Sequence, residues 1–252
     1  MINTFINPQF QSLLERYQLN SFSALWDVKV NWFEEPNVRR GGWSGVGQLR
    51  LNEENGNEVL MYVKKQEDHG RRTWRHPIKG EPTFKREFNN LQFLDQHAFT
   101  APRVVYYGQE ETSDHQRAVL ATLALDQHQS LEEWVHPNYE QLNEIEKTQF
   151  LLMLAEKIRQ LHSLGMVHRA LYPKHIFINP KLASNVAVID LEKARLTTLG
   201  WYRTFFDLAA LFRHSNWSKD EQLIFFKAYC GKSQLSHSEQ WLFEKIQLRA
   251  SR

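Results

Sequence analysis

The 252 residues predict an α+β protein built in two parts. Three observations carry that expectation. The chain changes character near residue 124, from short strands with one helix to mainly helices. The first part holds a hairpin signal, Asn55-Gly56 between apolar runs. The second part holds the clearest helical period, over 141 to 164, with apolar residues at 151, 154, 155, 158 and 161. The sequence therefore divides into a β-rich lobe over 1–124 and a helical lobe over 125–252.

Taken in order, residues 8 to 19 suit a short helix. A glycine-rich turn follows, Arg39-Arg40-Gly41-Gly42-Trp43-Ser44-Gly45-Val46-Gly47. A strand over about 46 to 52 turns at Asn55-Gly56-Asn57 and returns as Val59-Leu60-Met61-Tyr62-Val63-Lys64. Residues 67 to 81 are polar and basic. Pro82 stands near the start of a helix to about 97, with apolar residues at 84, 88, 91 and 94. Strands are expected over 103–107 and 118–123. Ser130-Leu131-Glu132-Glu133 has the form of a capping box. Gly165 is a natural stop for the long helix. Two short apolar runs, 176–178 and 186–189, flank turn residues and suit a strand pair. Helices are expected over 205–214, 218–229 and 236–249.

Composition excludes several classes. Apolar residues at 42% and charged residues at 24% are those of an ordinary globular chain, not of a disordered or fibrous one. Lys+Arg 31 against Asp+Glu 29 leaves +2, which gives no general attraction to nucleic acid. One cysteine, Cys230, permits neither an internal disulfide nor a Cys-based zinc site. The longest apolar run, Phe150 to Ala155, is far short of the roughly 20 residues of a membrane span. Met1-Ile2-Asn3-Thr4-Phe5 has no basic stretch before an apolar run, so no secretory signal is read there. The expectation is a cytoplasmic protein, with peripheral contact at the inner face of an inner membrane left open and the oligomeric state unassigned.

Four features carry chemistry. Glycines at 42, 45 and 47 would let phosphate oxygens approach the backbone, although glycines cluster in many plain turns. Lys64 ends the return strand, and Glu87 lies on the next helix; a Lys–Glu pair would hold an ammonium ready for phosphates, while either residue alone is more often a solvated charge. The fourth feature is the run His168-Arg169-Ala170-Leu171-Tyr172-Pro173-Lys174-His175-Ile176-Phe177-Ile178, followed by Val188-Ile189-Asp190-Leu191-Glu192-Lys193-Ala194. An acidic residue directly after a buried strand is well placed to meet a metal ion. Gly231-Lys232-Ser233 has the look of a P-loop ending, but position 226 is Phe where that motif needs glycine. His162, His168 and His175 recur every seven residues, but Gly165 interrupts any common helix. Trp43, inside the glycine turn, is bulky enough to close over a cleft.

The last run resembles the protein-kinase-like superfamily, and within it the lipopolysaccharide kinase (Kdo/WaaP) family, most of all its InaA-like branch. The Tyr-x-x-His-x-Phe form over Tyr172, His175 and Phe177 is the most specific part, and the resemblance covers roughly residues 38 to 215. It implies a small two-lobed kinase fold, ATP between the lobes, Mg²⁺, and phosphoryl transfer to a lipopolysaccharide inner-core sugar. It places Lys64 and Glu87 at the phosphate-positioning pair, and Gly42, Gly45 and Gly47 at the phosphate loop. His168 falls in the catalytic loop, Asp190 at the metal-binding aspartate, and His175 at the second metal position. Asp207 matches an aspartate that steadies the loop; a charge at a helix N-terminus explains it equally well. Arg71, Arg72 and Arg75, with Lys79, fall in a basic segment suited to an anionic sugar core, or to a solvated loop.

One departure is serious. Where the family pattern has His-Arg-Asp, this chain has His168-Arg169-Ala170, and alanine accepts no proton. Two alternatives to the lipopolysaccharide kinase stand beside it. One is a pseudokinase that binds nucleotide or a partner in a stress response. The other is a kinase of another small molecule.

Overall fold

The computed structural model describes residues 2–33, 35–39, 41–71, 80–180 and 182–252. By contacts these fall into two compact units, Met1–Asp95 with Pro102–Leu125, and Gln96–Ala101 with Asp126–Arg252. The architecture is mixed: an antiparallel sheet dominates the first unit and helices dominate the second.

The first unit is built on seven antiparallel strands. They are β1 (Ile2–Ile6), β2 (Asn31–Trp32), β3 (Asn37–Arg39), β4 (Gly42–Asn52), β5 (Glu58–Glu67), β8 (Val104–Glu111) and β9 (Gln116–Leu123), in spatial order β1-β8-β9-β5-β4-β2 with β3 also on β4. A separate two-strand pair joins β6 (Gly70–Arg71) to β7 (Glu81–Pro82). The expected hairpin is present: Asn52 pairs Glu58, and Gly56 takes φ +86° in the turn. Two short helices, α1 (Gln11–Arg16) and α2 (Phe22–Asp27), cover one face of the sheet. Their Leu14 and Leu25 join Met61, Val63, Tyr106, Val119 and Ala121 in one core cluster.

The other face carries α3 (Thr83–Gln96). Its Phe88 stacks on Tyr107 of β8 at 4.5 Å. The start of α3 is fixed from outside the helix. Gln66 of β5 is 1% exposed, and its side-chain oxygen accepts from the Phe84 amide at 3.0 Å and the Thr83 hydroxyl at 3.1 Å. Its amide group donates to the His69 carbonyl at 2.8 Å. A helix start leaves N–H groups unpaired, and here a strand residue supplies the cap.

The second unit is helical: α4 (Leu131–Asn138), α5 (Glu144–Ser163), α6 (Gly200–His214), α7 (Lys219–Cys230) and α8 (His237–Ala250). Leu151, Leu154, Ala155, Ile158 and Leu161 form the fully buried stripe of α5. Reciprocal capping boxes start α5 at Asn143 with Glu146, α7 at Ser218 with Glu221, and α8 at Ser236 with Glu239. At α4 the expected cap is seen from one side: Ser130 accepts from the Glu133 amide at 3.2 Å. Two short sheets complete the unit: β10 (Gln129–Ser130) with β12 (Ile176–Asn179) and β13 (Leu182–Val188), and β11 (Met166–Val167) with β14 (Arg195–Leu196).

Several expectations change. The helix expected over 8–19 is broken, a 3-10 turn at Pro8–Phe10 and then six residues of α1. The strand expected from 46 begins at Gly42, so Gly42, Gly45 and Gly47 lie within β4 and not in a turn; the turn residue is Gly41, at φ +83°. The helix expected from 205 begins at Gly200. Gly231 ends α7 at φ +67°, a helix stop and not a phosphate loop.

Removing the outside cap is a direct check on what holds α3. Gln66→Leu leaves the Phe84 and Thr83 donors unpaired, so a urea melt is expected to lose about 1–3 kcal/mol of stability.

Candidate active site

In the first unit the strand period decides the site. Residues of β5 alternate between faces, so adjacent lysines part company. Lys65 goes to the α2 side, where it is 4% exposed and donates to the Trp26 and Val28 carbonyls at 2.7 Å each. Burial lowers its pKa, against the pull of Asp27. Lys64 goes to the α3 side. Its Nζ donates to both carboxylate oxygens of Glu87, at 2.6 and 2.8 Å. Glu87 belongs to the buried stripe of α3 and is one helical turn beyond Thr83, where the Gln66 cap fixes the register. The pair is largely sheltered, with side chains 16% and 4% exposed. A buried carboxylate without its cation is strongly destabilising, so Glu87 commits Lys64 to one position.

The glycines of β4 have a packing reason. A Cβ on Gly42 would lie 2.3 Å from the Asp68 carbonyl carbon. On Gly45 it would meet the Trp32 ring at 2.8 Å, and on Gly47 Val30 at 2.4 Å. Trp43 does not stand alone: it packs on Trp26 at 5.6 Å and edge-on to Trp32 at 6.2 Å. Arg72, Arg75 and Lys79 lie outside the described residues, as does the Arg71 side chain.

The second unit gathers its groups around Asp207. This residue is in the middle of α6 and fully buried, which disposes of the helix-terminus explanation. One carboxylate oxygen accepts from the His168 amide at 2.6 Å and from His162 Nε2 at 3.0 Å. The other accepts from the Arg169 amide at 2.8 Å. His162 Nδ1 meets the Tyr229 hydroxyl at 2.8 Å, and burial pushes that phenol up to about 12. The same bonds hold Arg169 at φ +69°, a conformation L-residues rarely adopt. The Arg169 and Arg195 guanidinium groups both donate to the Tyr202 hydroxyl.

His168 is fully buried, and its Nε2–H donates to the Ile189 carbonyl at 2.9 Å. That bond ties the loop to the residue before Asp190. His175 follows the same logic. Its Nδ1–H donates to the Ala170 carbonyl at 2.8 Å, so a neutral ring presents the Nε2 lone pair outward. That nitrogen faces Asp190 Oδ2 at 3.3 Å. Two acceptors at this distance need a proton or a cation between them. Asp190 is held at φ +59°, outside the helical and extended regions.

The donor set fits a divalent cation on this observation. A carboxylate suits a hard ion, and an imidazole whose other nitrogen donates to a backbone carbonyl is the usual state of a metal-ligating histidine. Imidazole is a less common ligand for Mg²⁺ than for Mn²⁺, so His175 fits either as a direct donor or as the partner of a metal-bound water. Among the described residues no group of three or more His, Cys, Asp or Glu side chains could enclose a metal. A two-ligand site is what an ion completed by phosphate oxygens requires.

Of the sequence-derived residues, the structure brings Lys64 to Glu87, and His168 and His175 of one loop to Ile189 and Asp190. Sequence reading passes over Gln66, Tyr202 and Tyr229, for which no local motif exists.

The fold and this loop define a protein-kinase-like chain. A solved structure titled "WaaP in complex with acyl carrier protein" superposes with a TM-score of 0.72 over 99% of this chain and 98% of that one, at 19% identity. Protein InaA of Escherichia coli strain K12 is 29% identical over 178 residues, 70% of this chain and 79% of that protein. The family model for the lipopolysaccharide kinase (Kdo/WaaP) family matches residues 23–229, so the chain belongs to that family.

Burial holds the His168 pKa below its ordinary 6.5; Asp207 and Asp190 oppose this and His175 adds to it. Above pH 6.5 the ring is neutral folded or unfolded. As pH falls below that value the unfolded chain takes up a proton that the folded chain resists, so stability is lost. His168→Gln keeps an N–H donor and cannot titrate. Its stability, followed by urea melts from pH 7.5 to 5, is expected to fall less steeply than the parent's.

Proposed function

We propose that this chain transfers the γ-phosphoryl group of ATP to a hydroxyl of a lipopolysaccharide inner-core sugar, at the cytoplasmic face of the inner membrane. The observation that carries the reading is that His175 Nε2 faces Asp190 Oδ2 at 3.3 Å while the Ala170 carbonyl holds His175 Nδ1. Lys64, held by Glu87, donates to phosphate oxygens. Asp190 and His175 hold Mg²⁺, which when bound neutralises charge on the transferring group. Family membership supports the reaction class and the acceptor class. Among the described residues no helix is long and apolar enough to cross a membrane.

Ala170 bears on the rate. It is 1% exposed, and its carbonyl is already taken by His175. The acceptor hydroxyl then has no carboxylate at that position to take its proton. A loose transition state leaves the hydroxyl proton in place until late, when it passes to a phosphate oxygen or to water. General-base catalysis contributes about 10²–10⁴-fold, so its loss slows transfer without abolishing it. The same alanine favours a second reading, a nucleotide-binding protein that transfers nothing.

Thermal melts with and without Mg·ATP test the nucleotide site. Ligand at 100 times its dissociation constant stabilises by about 2.7 kcal/mol. The parent is expected to show a Mg²⁺-dependent rise in Tm that disappears in Lys64→Ala and in Asp190→Asn. No rise at saturating nucleotide removes the reading. Transfer of labelled phosphate to deacylated lipopolysaccharide core then separates the kinase from the binding protein.

A further inference from the structure

The second unit holds an open cavity of about 200 Å³ against the catalytic loop. Leu131 and Val135 of α4 and Pro173 of the loop form its apolar wall, and Trp217 completes it. Ordinary ligand pockets run from about 300 Å³ upward, and a closed cavity of about 150 Å³ holds one benzene. This one has the size for a single ring.

Its polar groups include both donors and acceptors. Trp217 is 6% exposed and packed on Phe212 and Phe225, and its indole N–H finds no acceptor among the described residues. A buried donor in that state calls for a ligand or ordered water to complete it. Glu132, on the first turn of α4, offers an exposed carboxylate that pairs with no described residue. Asn216 adds an exposed amide that both donates and accepts. His214 is the one basic side chain of the lining.

The cavity is connected to the candidate metal pair. The His214 ring meets Tyr172 edge-on at 4.7 Å, and Tyr172 meets His175 at 5.5 Å. His175 in turn faces Asp190. His214, on the lining, is therefore two ring contacts from His175 of the candidate metal pair.

An unpaired indole N–H donor, a carboxylate and an amide beside the apolar wall of Leu131, Val135 and Pro173 together suit a ring with hydroxyls on its edge and C–H groups on its face. The Glu132 carboxylate disfavours an anionic occupant. We propose that this cavity is a subsite for one neutral pyranose ring of the acceptor, recognised by Trp217 and Glu132. As an acceptor subsite it rests on the phosphoryl-transfer reading above and narrows it: the ring bound here is a neutral sugar of the core, not its acidic one.

The test uses the ¹⁵N-labelled full chain, whose eight tryptophans give eight indole N–H resonances. Trp217→Phe, which keeps an aromatic ring against Phe212 and Phe225, identifies the resonance of Trp217. Mannose, glucose, Kdo and glycerol are titrated in turn. A neutral pyranose is expected to shift the Trp217 resonance saturably, with Kdo and glycerol leaving it in place. In Glu132→Gln, a change at an exposed position, the same titration is expected to weaken about tenfold or more, while the Mg·ATP melting shift is kept. If no monosaccharide moves that resonance, or if Kdo moves it and the neutral sugars do not, the proposal is overturned. A sugar shift in a protein that Mg·ATP does not stabilise keeps the sugar site and removes the kinase reading. Stabilisation by Mg·ATP with no sugar shift removes the site alone.

Discussion

A single carboxylate organises the second unit. Asp207 is fully buried in the middle of α6, and a charge in that position is stable only when its oxygens are met by donors. It meets three: the amides of His168 and Arg169, and the ring of His162. Two of those donors are backbone groups of the loop that follows β11. The carboxylate therefore sets the path of the loop, including the left-handed conformation of Arg169. The path in turn brings the Ala170 carbonyl to His175 Nδ1, which fixes which nitrogen of His175 faces Asp190. The candidate metal pair is the last link of a chain of hydrogen bonds that begins at Asp207.

The first unit shows the same economy on a smaller scale. Gln66 and Lys64 are two residues apart on one strand and so share a face. Gln66 caps α3, and Glu87 follows one turn later over Lys64. The helix start and the ion pair are thus registered by one strand. Lys65, between them, points to the other face and holds α2 by its carbonyl groups. Neighbouring lysines in the sequence do unrelated work because the strand alternates.

Much of this is legible in the sequence where the signal is local. Asn55-Gly56 gave the hairpin, the apolar period gave α5, and the loop from His168 to Phe177 gave the family. What escaped is non-local. The cap of α3 comes from Gln66, seventeen residues before Thr83, where no capping motif can show it. Helix α6 begins at Gly200 with no side-chain cap, so no start signal marks it and the sequence pattern predicts a helix only from 205. The β4 glycines look like a phosphate loop in sequence. In the fold each sits where a neighbour fills the Cβ position, which is a matter of strand packing and not of local turn chemistry. Asp207 could be named from the resemblance, but only its burial and its two amide donors separate a loop anchor from a surface charge.

Amide hydrogen exchange on the parent and on Asp207→Asn tests this dependence most directly. The variant keeps the size of the side chain but loses its charge and one acceptor oxygen. The account predicts that the His168 and Arg169 amides, protected in the parent, exchange much faster in the variant, while the buried stripe of α5 from Leu151 to Leu161 keeps its protection. Unchanged protection at His168 and Arg169 would contradict it, and would mean that the loop holds its path without Asp207.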